Sequence, residues 1–377
     1  MEASASNIPI DIIRHILFQS PVKSVIRCQC VCKQWRSLIQ DDSDFKLSYR
    51  GQKRVIILSD EFDRFVVRST SHDLRLQRHK WPFGEGYQLI RARNKYFVTS
   101  LCYCNGLVLV VTERDLLLWN PSTRCSTKVL ERPYPYPEAI LAGLCYDSCT
   151  RDYKVVLVHY RAYGPELVLS ASLHHKEWRP IEFPYSCLHS SIKGGVNFRN
   201  TFYWWVVSGI NQGWDILYWD NKIIYFDPVH DEFRNLPTPE LGRENVIVGL
   251  GVIDDCLCMA QGEEPNSTKT NKIQVFIMKE YGRQESWVTA FAIQTPEFID
   301  RFGGYDDTIT FYSLEKDAQE ILFHSPPSWH GHQVCVYNWK KDEVKDFLTK
   351  VGHGYIVSVC FYVESLACPD HNGLLSE

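Results

Sequence analysis

The sequence predicts a mixed fold: three short helices in the first fifty residues, then an all-β propeller of about six four-stranded blades. Three observations carry that expectation. Apolar residues recur at helical spacing up to Ile39 and at two-residue spacing after Tyr49, a change of period that separates helix from strand. A strand–turn–strand unit then returns roughly every 50 to 60 residues. The chain also holds 11 Trp and 20 Tyr, side chains that suit a pleated, half-buried surface.

The helical region opens at Asn7, a capping residue, with Pro9 suited to the first turn. Ile12, Ile13, Ile16 and Leu17 follow at helical spacing, with Asp11, Arg14 and His15 between them. Ser20-Pro21 ends this helix, because proline disfavours the helical conformation in the residue before it. A second helix is expected over 22–28, with Val25 and Ile26 as its apolar face. A third is expected over 31–39, with Val31, Trp35, Leu38 and Ile39 on one side and Lys33, Arg36 and Gln40 on the other. Three helices of this length bury little surface alone. Their spare apolar face reads equally as a docking surface or as a cap on the domain that follows.

From Tyr49 onward, short apolar runs are broken by Gly, Asn, Asp and Pro, the pattern of antiparallel strands. The repeated unit is clearest as Leu116-Leu117-Leu118-Trp119-Asn120-Pro121 leading to Lys128-Val129-Leu130. It recurs as Ile223-Ile224-Tyr225-Phe226-Asp227-Pro228 leading to Phe233-Arg234-Asn235-Leu236. Weaker copies span 167–183, 273–293 and 334–348, and an early one spans 55–68. Polar turns at Asn105-Gly106, 148–151, Arg199-Asn200, Asp254-Asp255 and Lys316-Asp317 mark a second hairpin between copies. Two hairpins per period make one blade, and the period is that of a kelch-like propeller. The last strong strand, 355–363, has no hairpin after it. It is expected to pair with the early copy and close the ring, which removes exposed edges.

A net charge of -4 offers no basic field for nucleic acid. No apolar run reaches the roughly 18 residues of a membrane span, and the start lacks the basic-then-apolar order of a secretory signal. A cytoplasmic or nuclear location is therefore expected. The 14 cysteines are expected to be reduced thiols. Cys28, Cys30 and Cys32, Cys102 with Cys104, and Cys256 with Cys258 lack zinc-module spacing; on a strand, such alternate residues share a face as small packing groups. No metal or cofactor is expected, and no catalytic residue is assigned, since the zinc, phosphate-loop and nucleophile-elbow motifs are missing from the sequence. Gly249-Leu250-Gly251 reads as relief of crowding in a strand, and Asp254-Asp255 and Asp306-Asp307 as turn residues. The polar run 263–271, with Pro265, is expected to be a mobile loop. Tyr203 and Trp205 are expected to pack between blades. That leaves Trp214, Tyr218 and Trp219 as candidate target-binding residues, with Trp214 in a loop beside Gly213.

Ile8-Pro9-Ile10-Asp11-Ile12-Ile13 resembles the opening Leu-Pro-x-Asp/Glu-Leu-Ile/Val of an F-box. Ile16-Leu17 with Ser20-Pro21-Val22-Lys23-Ser24-Val25-Ile26-Arg27 resembles the plant form that continues it, and Cys30-Val31-Cys32-Lys33-Gln34-Trp35-Arg36-Ser37-Leu38-Ile39 resembles its closing Cys-Val-Cys-Lys-x-Trp-x-x-Leu-Ile. Two residues depart from the pattern: Ile8 replaces a Leu with volume conserved, and Ser20 replaces a Leu and removes one apolar contact. Farther on, Leu101-Cys102-Tyr103-Cys104-Asn105-Gly106-Leu107-Val108, Leu118-Trp119-Asn120-Pro121-Ser122-Thr123-Arg124 and Asp152-Tyr153-Lys154-Val155-Val156 are similar to blocks of plant F-box-associated domains. Phe202-Tyr203-Trp204-Trp205 matches another block, with Asn200-Thr201 where Asn-Gly is usual. The family includes S-locus F-box proteins, and no residue assigns this chain to that branch.

The resemblance implies an F-box over 1–48, an F-box-associated propeller over 49–366 and a flexible tail over 367–377. It implies a Skp-type adaptor as partner and, through it, a cullin, with an unidentified protein as the target of ubiquitination. By that resemblance Ile8, Pro9, Ile12, Ile13, Ile16, Leu17, Pro21, Val22, Val25, Val31 and Trp35 bury against the adaptor or fix the helices that do, as apolar anchors in helix recognition. Trp35 is the member expected in the module's own core. The alternatives are a propeller lectin or enzyme with a helical cap, and a scaffold that acts outside any ligase.

Overall fold

The computed structural model describes residues 8–369 except 62–63, 71–74, 84–97, 134–139, 160–166, 185–189, 213–214, 241–244, 264–271, 295–297, 299–307, 329–330, 349 and 352–353. Four helices come first: α1 (Ile10–Phe18), α2 (Val22–Cys28), α3 (Lys33–Gln40) and α4 (Ser43–Ser48). Pro9 and Pro21 directly precede α1 and α2 with φ of -54° and -58°, the value their rings impose. Cys32 Sγ accepts a hydrogen bond from Trp35 N at the start of α3, and Asp42 Oδ1 accepts one from Phe45 N at 2.7 Å at the start of α4. The fourth helix corrects the expected three. At six residues it is too short to show a period, yet its cap delivers Phe45, which is fully buried, to the centre of the module.

The strands follow in sequence order. They are β1 (Lys53–Glu61), β2 (Arg64–Thr70), β3 (Gln77–His79), then β4 (Val98–Cys104), β5 (Leu107–Thr112), β6 (Asp115–Trp119) and β7 (Ser126–Glu131). Next come β8 (Ile140–Asp147), β9 (Asp152–His159), β10 (Leu167–Ser172) and β11 (Trp178–Ile181), and β12 (Ser190–Phe198), β13 (Thr201–Gln212), β14 (Asp215–Asp227) and β15 (Glu232–Leu236). The last are β16 (Asn245–Ile253), β17 (Cys256–Glu263), β18 (Ile273–Met278), β19 (Trp287–Ile293), β20 (Ile309–Tyr312), β21 (Glu320–Ser328), β22 (Gly331–Asn338), β23 (Glu343–Leu348), β24 (Lys350–Val351) and β25 (Gly354–Val363).

Among the described residues these strands form five sheets rather than six separate blades. Three are four-stranded meanders, β4–β7, β8–β11 and β12–β15. The fourth joins two meanders, β16–β19 and β20–β23, into eight strands through a parallel pairing of β16 with β20. Two glycines permit that fusion. A Cβ on Gly249 would lie 2.3 Å from the Ile309 carbonyl oxygen, and one on Gly251 would lie 2.3 Å from that of Phe311, so only glycine allows the backbones to meet. The fifth sheet has the order β24-β25-β1-β2-β3. Its β25 runs antiparallel to β1, with Val55 opposite Phe361, so the last of the described strands pairs with the first, as the sequence suggests.

The hairpins explain the repeat. Asn120, Asp147, Asp227 and Asn338 each accept backbone N–H bonds two and three residues on, and Ser172 Oγ accepts one from His175 N. Four residues after each, Arg124, Arg151, Asp231, Asp342 and Lys176 adopt positive φ. These are Asx- and Ser-initiated turns that reverse the strand. The second set of hairpins holds Asn105-Gly106, Arg199-Asn200 and Asp254-Asp255 with positive φ at both central positions, the geometry whose twist matches paired strands.

Alternation along β13 feeds two cores. Trp204 is buried with Leu144, Val155 and Phe226 on one side of its sheet, and Tyr203 and Trp205 are buried with Leu250, Leu257 and Met259 on the other. Cys102 and Cys104 share a face of β4 and are both buried; burial pushes the Cys102 thiol up to about 12 and holds Cys104 well above its ordinary value. The segment directly after β25 packs on the propeller. Asn120 Nδ2 donates to Ser365 O, Ser365 Oγ and Ala367 O at 3.2, 3.1 and 2.6 Å, and Ala367 is buried, so the tail expected from 367 begins inside the fold.

Candidate functional site

The helical module encloses a small core of its own. Ile13, Leu17, Val22, Val25, Leu38, Ile39, Phe45 and Tyr49 are buried together, and Leu366 from the strap after β25 joins them. Arg14 pairs with Asp42, which ties α1 to the loop before α4. The Tyr49 hydroxyl donates to Ser20 O at 2.7 Å. Burial, and then Glu364 nearby, push that phenol up to about 12, so it remains a proton donor. Ser20, one of the two residues that depart from the family pattern, also donates its own hydroxyl to Ile16 O.

The structure divides the set expected to meet an adaptor. Ile13, Leu17, Val22 and Val25 are at most 3% exposed and lie among those that fix the helices from within, the second of the two roles expected of the set. The physical reason lies in α4 and the strap. Phe45, Tyr49 and Leu366 occupy that side of α1 and α2. Trp35, expected in the core, is only half-buried against its rim. On the outside, Ile8 is 50% exposed, Ile12 51%, Ile16 46% and Val31 61%, with Ile10 at 36%. Pro9 and Pro21 are exposed as well. Ile12 and Ile16 are one turn apart on α1 and share a face. Four large aliphatic side chains, each about half or more open, thus sit on a module whose own core is already filled.

The propeller's candidates are placed differently. Trp214 lies outside the described residues. Tyr218 and Trp219 stand on β14 opposite Ile210 and Gly209 of β13. The pairing of β13 with β14 runs on to Gln212 opposite Asp215, past Ser208, where β12 stops, and past Ile223, where β15 stops. Among the described residues this part of the sheet is two-stranded. Of the polar run 263–271, Glu263 ends β17 and residues 264–271, like Asp306-Asp307, lie outside the described residues.

Among the described residues one cluster has metal-type ligands: Asp227, His230 and Glu232 bring ligand atoms within 4.8 Å of one another. Arg234 already contacts Asp227 at 3.1 Å and Glu232 at 2.7 Å, so a guanidinium fills the position a cation would take. Among the described residues no helix is long and apolar enough to cross a membrane.

Comparison with known proteins matches residues 5–47 to the F-box domain and residues 56–368 to the F-box associated beta propeller domain. The F-box protein CPR1 of Arabidopsis thaliana is 27% identical over 355 residues, 84% of this chain and 79% of that protein. An F-box/kelch-repeat protein of the same plant is 27% identical over 312 residues, 77% of this chain and 80% of that protein. Among solved structures, TolB from Acinetobacter baumannii resembles the chain with a TM-score of 0.47 and 10% identity, over 82% of this chain and 66% of that one.

Proposed function

The chain belongs to the F-box proteins that carry an F-box associated β-propeller domain, and on that premise we propose that it is the substrate-recognition subunit of a Skp–cullin–F-box ubiquitin ligase. It performs no chemistry of its own. It raises the effective concentration of a target beside the ligase by holding both at once. The observation that carries this reading is the open aliphatic face of Ile8, Ile12, Ile16 and Val31 on a module with a complete interior. Those residues, with Pro9 and Pro21, are the adaptor contacts; Ile13, Leu17, Val22, Val25 and Trp35 support them. The β13–β14 segment that holds Tyr218 and Trp219 is the part of the propeller assigned to the target. The propeller has about six blades in this reading, two of them fused through β16 and β20.

The test separates docking from folding. The full chain with Ile12→Asp and Ile16→Asp together is expected to lose capture of a Skp-type adaptor by at least about tenfold, the scale of a buried apolar anchor, with its melting temperature unchanged. Val25→Asp is expected to lower both capture and melting temperature. Adaptor binding undiminished in the double variant would overturn the assignment.

A further inference from the structure

The strands β4, β12, β16, β20 and β25 all reach one cavity mouth near their last residues. Their last residues line a cavity of about 370 Å³ with Tyr103, Phe198, Val252, Tyr312 and Phe361, a size within the roughly 300–1,000 Å³ of small-molecule sites. The mouth lies where the chain passes from α4 into β1, because Lys53 and Arg54 also line it. Its apolar wall is built from rings: Tyr312 and Phe361 stack with centroids 3.8 Å apart. Burial holds the Tyr312 phenol well above its ordinary value, so it adds no negative charge.

The charges around that wall are not balanced. Lys53 pairs with Asp255 at 3.1 Å and Arg54 with Glu364 at 2.6 Å. Arg199, the first central residue of the β12–β13 turn with φ 49°, has no carboxylate partner among the described residues. Its guanidinium lies over the rings of Phe198 and Tyr281, at 5.2 and 5.1 Å from their centroids. A guanidinium held by its face keeps N–H groups at its edge for an oxyanion. A cation with no carboxylate partner among the described residues, beside a stacked aromatic wall, is complementary to a flat body bearing one negative charge.

We propose that this mouth binds a small ligand of the aromatic carboxylate class, its flat body against Tyr312 and Phe361 and its carboxylate on Arg199. The site is separate from the adaptor face and stands whether or not the ligase role does.

Titration calorimetry on the full chain, with 2-naphthoate as probe and 2-naphthalenemethanol as the uncharged comparator, tests it. Saturable binding of 2-naphthoate is expected, with the alcohol about tenfold weaker, the scale of one charge-assisted hydrogen-bonded pair. Arg199→Ala is expected to bring the acid down to the level of the alcohol and leave the alcohol unchanged. Arg199→Gln, which keeps a polar side chain on the turn, should do the same. No saturable binding of 2-naphthoate, equal affinity for acid and alcohol, or full affinity in either folded variant would overturn the proposal.

Discussion

Asn120 does two jobs with one amide. Its Oδ1 closes a turn by accepting from Ser122 N at 2.8 Å, and its Nδ2 is spent on Ser365 and Ala367, some 245 residues away. The side chain is fully buried. Asn120→Ala is therefore expected to cost about 3 kcal/mol, from a lost turn bond and orphaned buried acceptors, measured by denaturant unfolding. Asn120→Asp keeps the turn but removes the donors, and should cost nearly as much, although Asp serves the equivalent turns at Asp147 and Asp227. The turn was legible in Trp119-Asn120-Pro121; the long-range partner was not, because nothing local marks which amide will be buried. His79 gives a second residue-scale expectation. Burial first, then Lys23, Arg54 and Arg124, lower its pKa from 6.5 to about 4, with Ser69 Oγ at 2.6 Å from its Nε2. The unfolded chain takes up this proton first, so the histidine's contribution is whole above pH 6.5 and is lost as pH falls from about 6.5 toward about 4. His79→Gln should flatten unfolding free energy against pH over that window.

At the scale of elements, α1 shows what periodicity can and cannot say. Ile12 with Ile13, and Ile16 with Leu17, form one broad apolar face in the sequence. Which half turns inward is decided by Phe45 of α4 and Leu366 of the strap, neither of which the period of α1 contains. The same limit applies to the fused sheet. Gly249-Leu250-Gly251 was legible as a crowded place, but the crowding partner, β20, had no mark in the sequence to distinguish a parallel neighbour from the edge of a separate blade. Gly251→Val puts a branched side chain where a Cβ alone would lie 2.3 Å from Phe311 O. It is expected to destabilise by about 1–3 kcal/mol, as overpacking does, with faster hydrogen exchange at Ile309–Tyr312 before the rest of the ring. Exchange rising evenly over all sheets would contradict a local fault line.

Across the whole molecule, the two modules are joined by more than a linker. Gly51 N donates to Glu364 O and Glu364 N to Gln52 O, Arg50 contacts Asn105, and Leu366 lies in the helical core. The propeller and the helical module thus share hydrogen bonds and a packed residue across their junction. A chain ending at Val363 retains every described strand but loses the Glu364 and Leu366 contacts of this seam. It is expected to melt lower, and its α1–α4 amides should exchange faster while β5 and β9 remain protected; equal protection in all four helices would show that the strap is dispensable.

The closing strand also imposes a timetable. During synthesis, α1–α4 and β1 emerge first, yet β1 waits for β25, and the helical core waits for Leu366. Nascent chains shorter than about 366 residues hold open strand edges, which invite off-pathway association. Stalled on the ribosome before residue 354, they should be cut readily by protease and held by chaperones, and resistance should arise abruptly once the final strand is free of the exit tunnel.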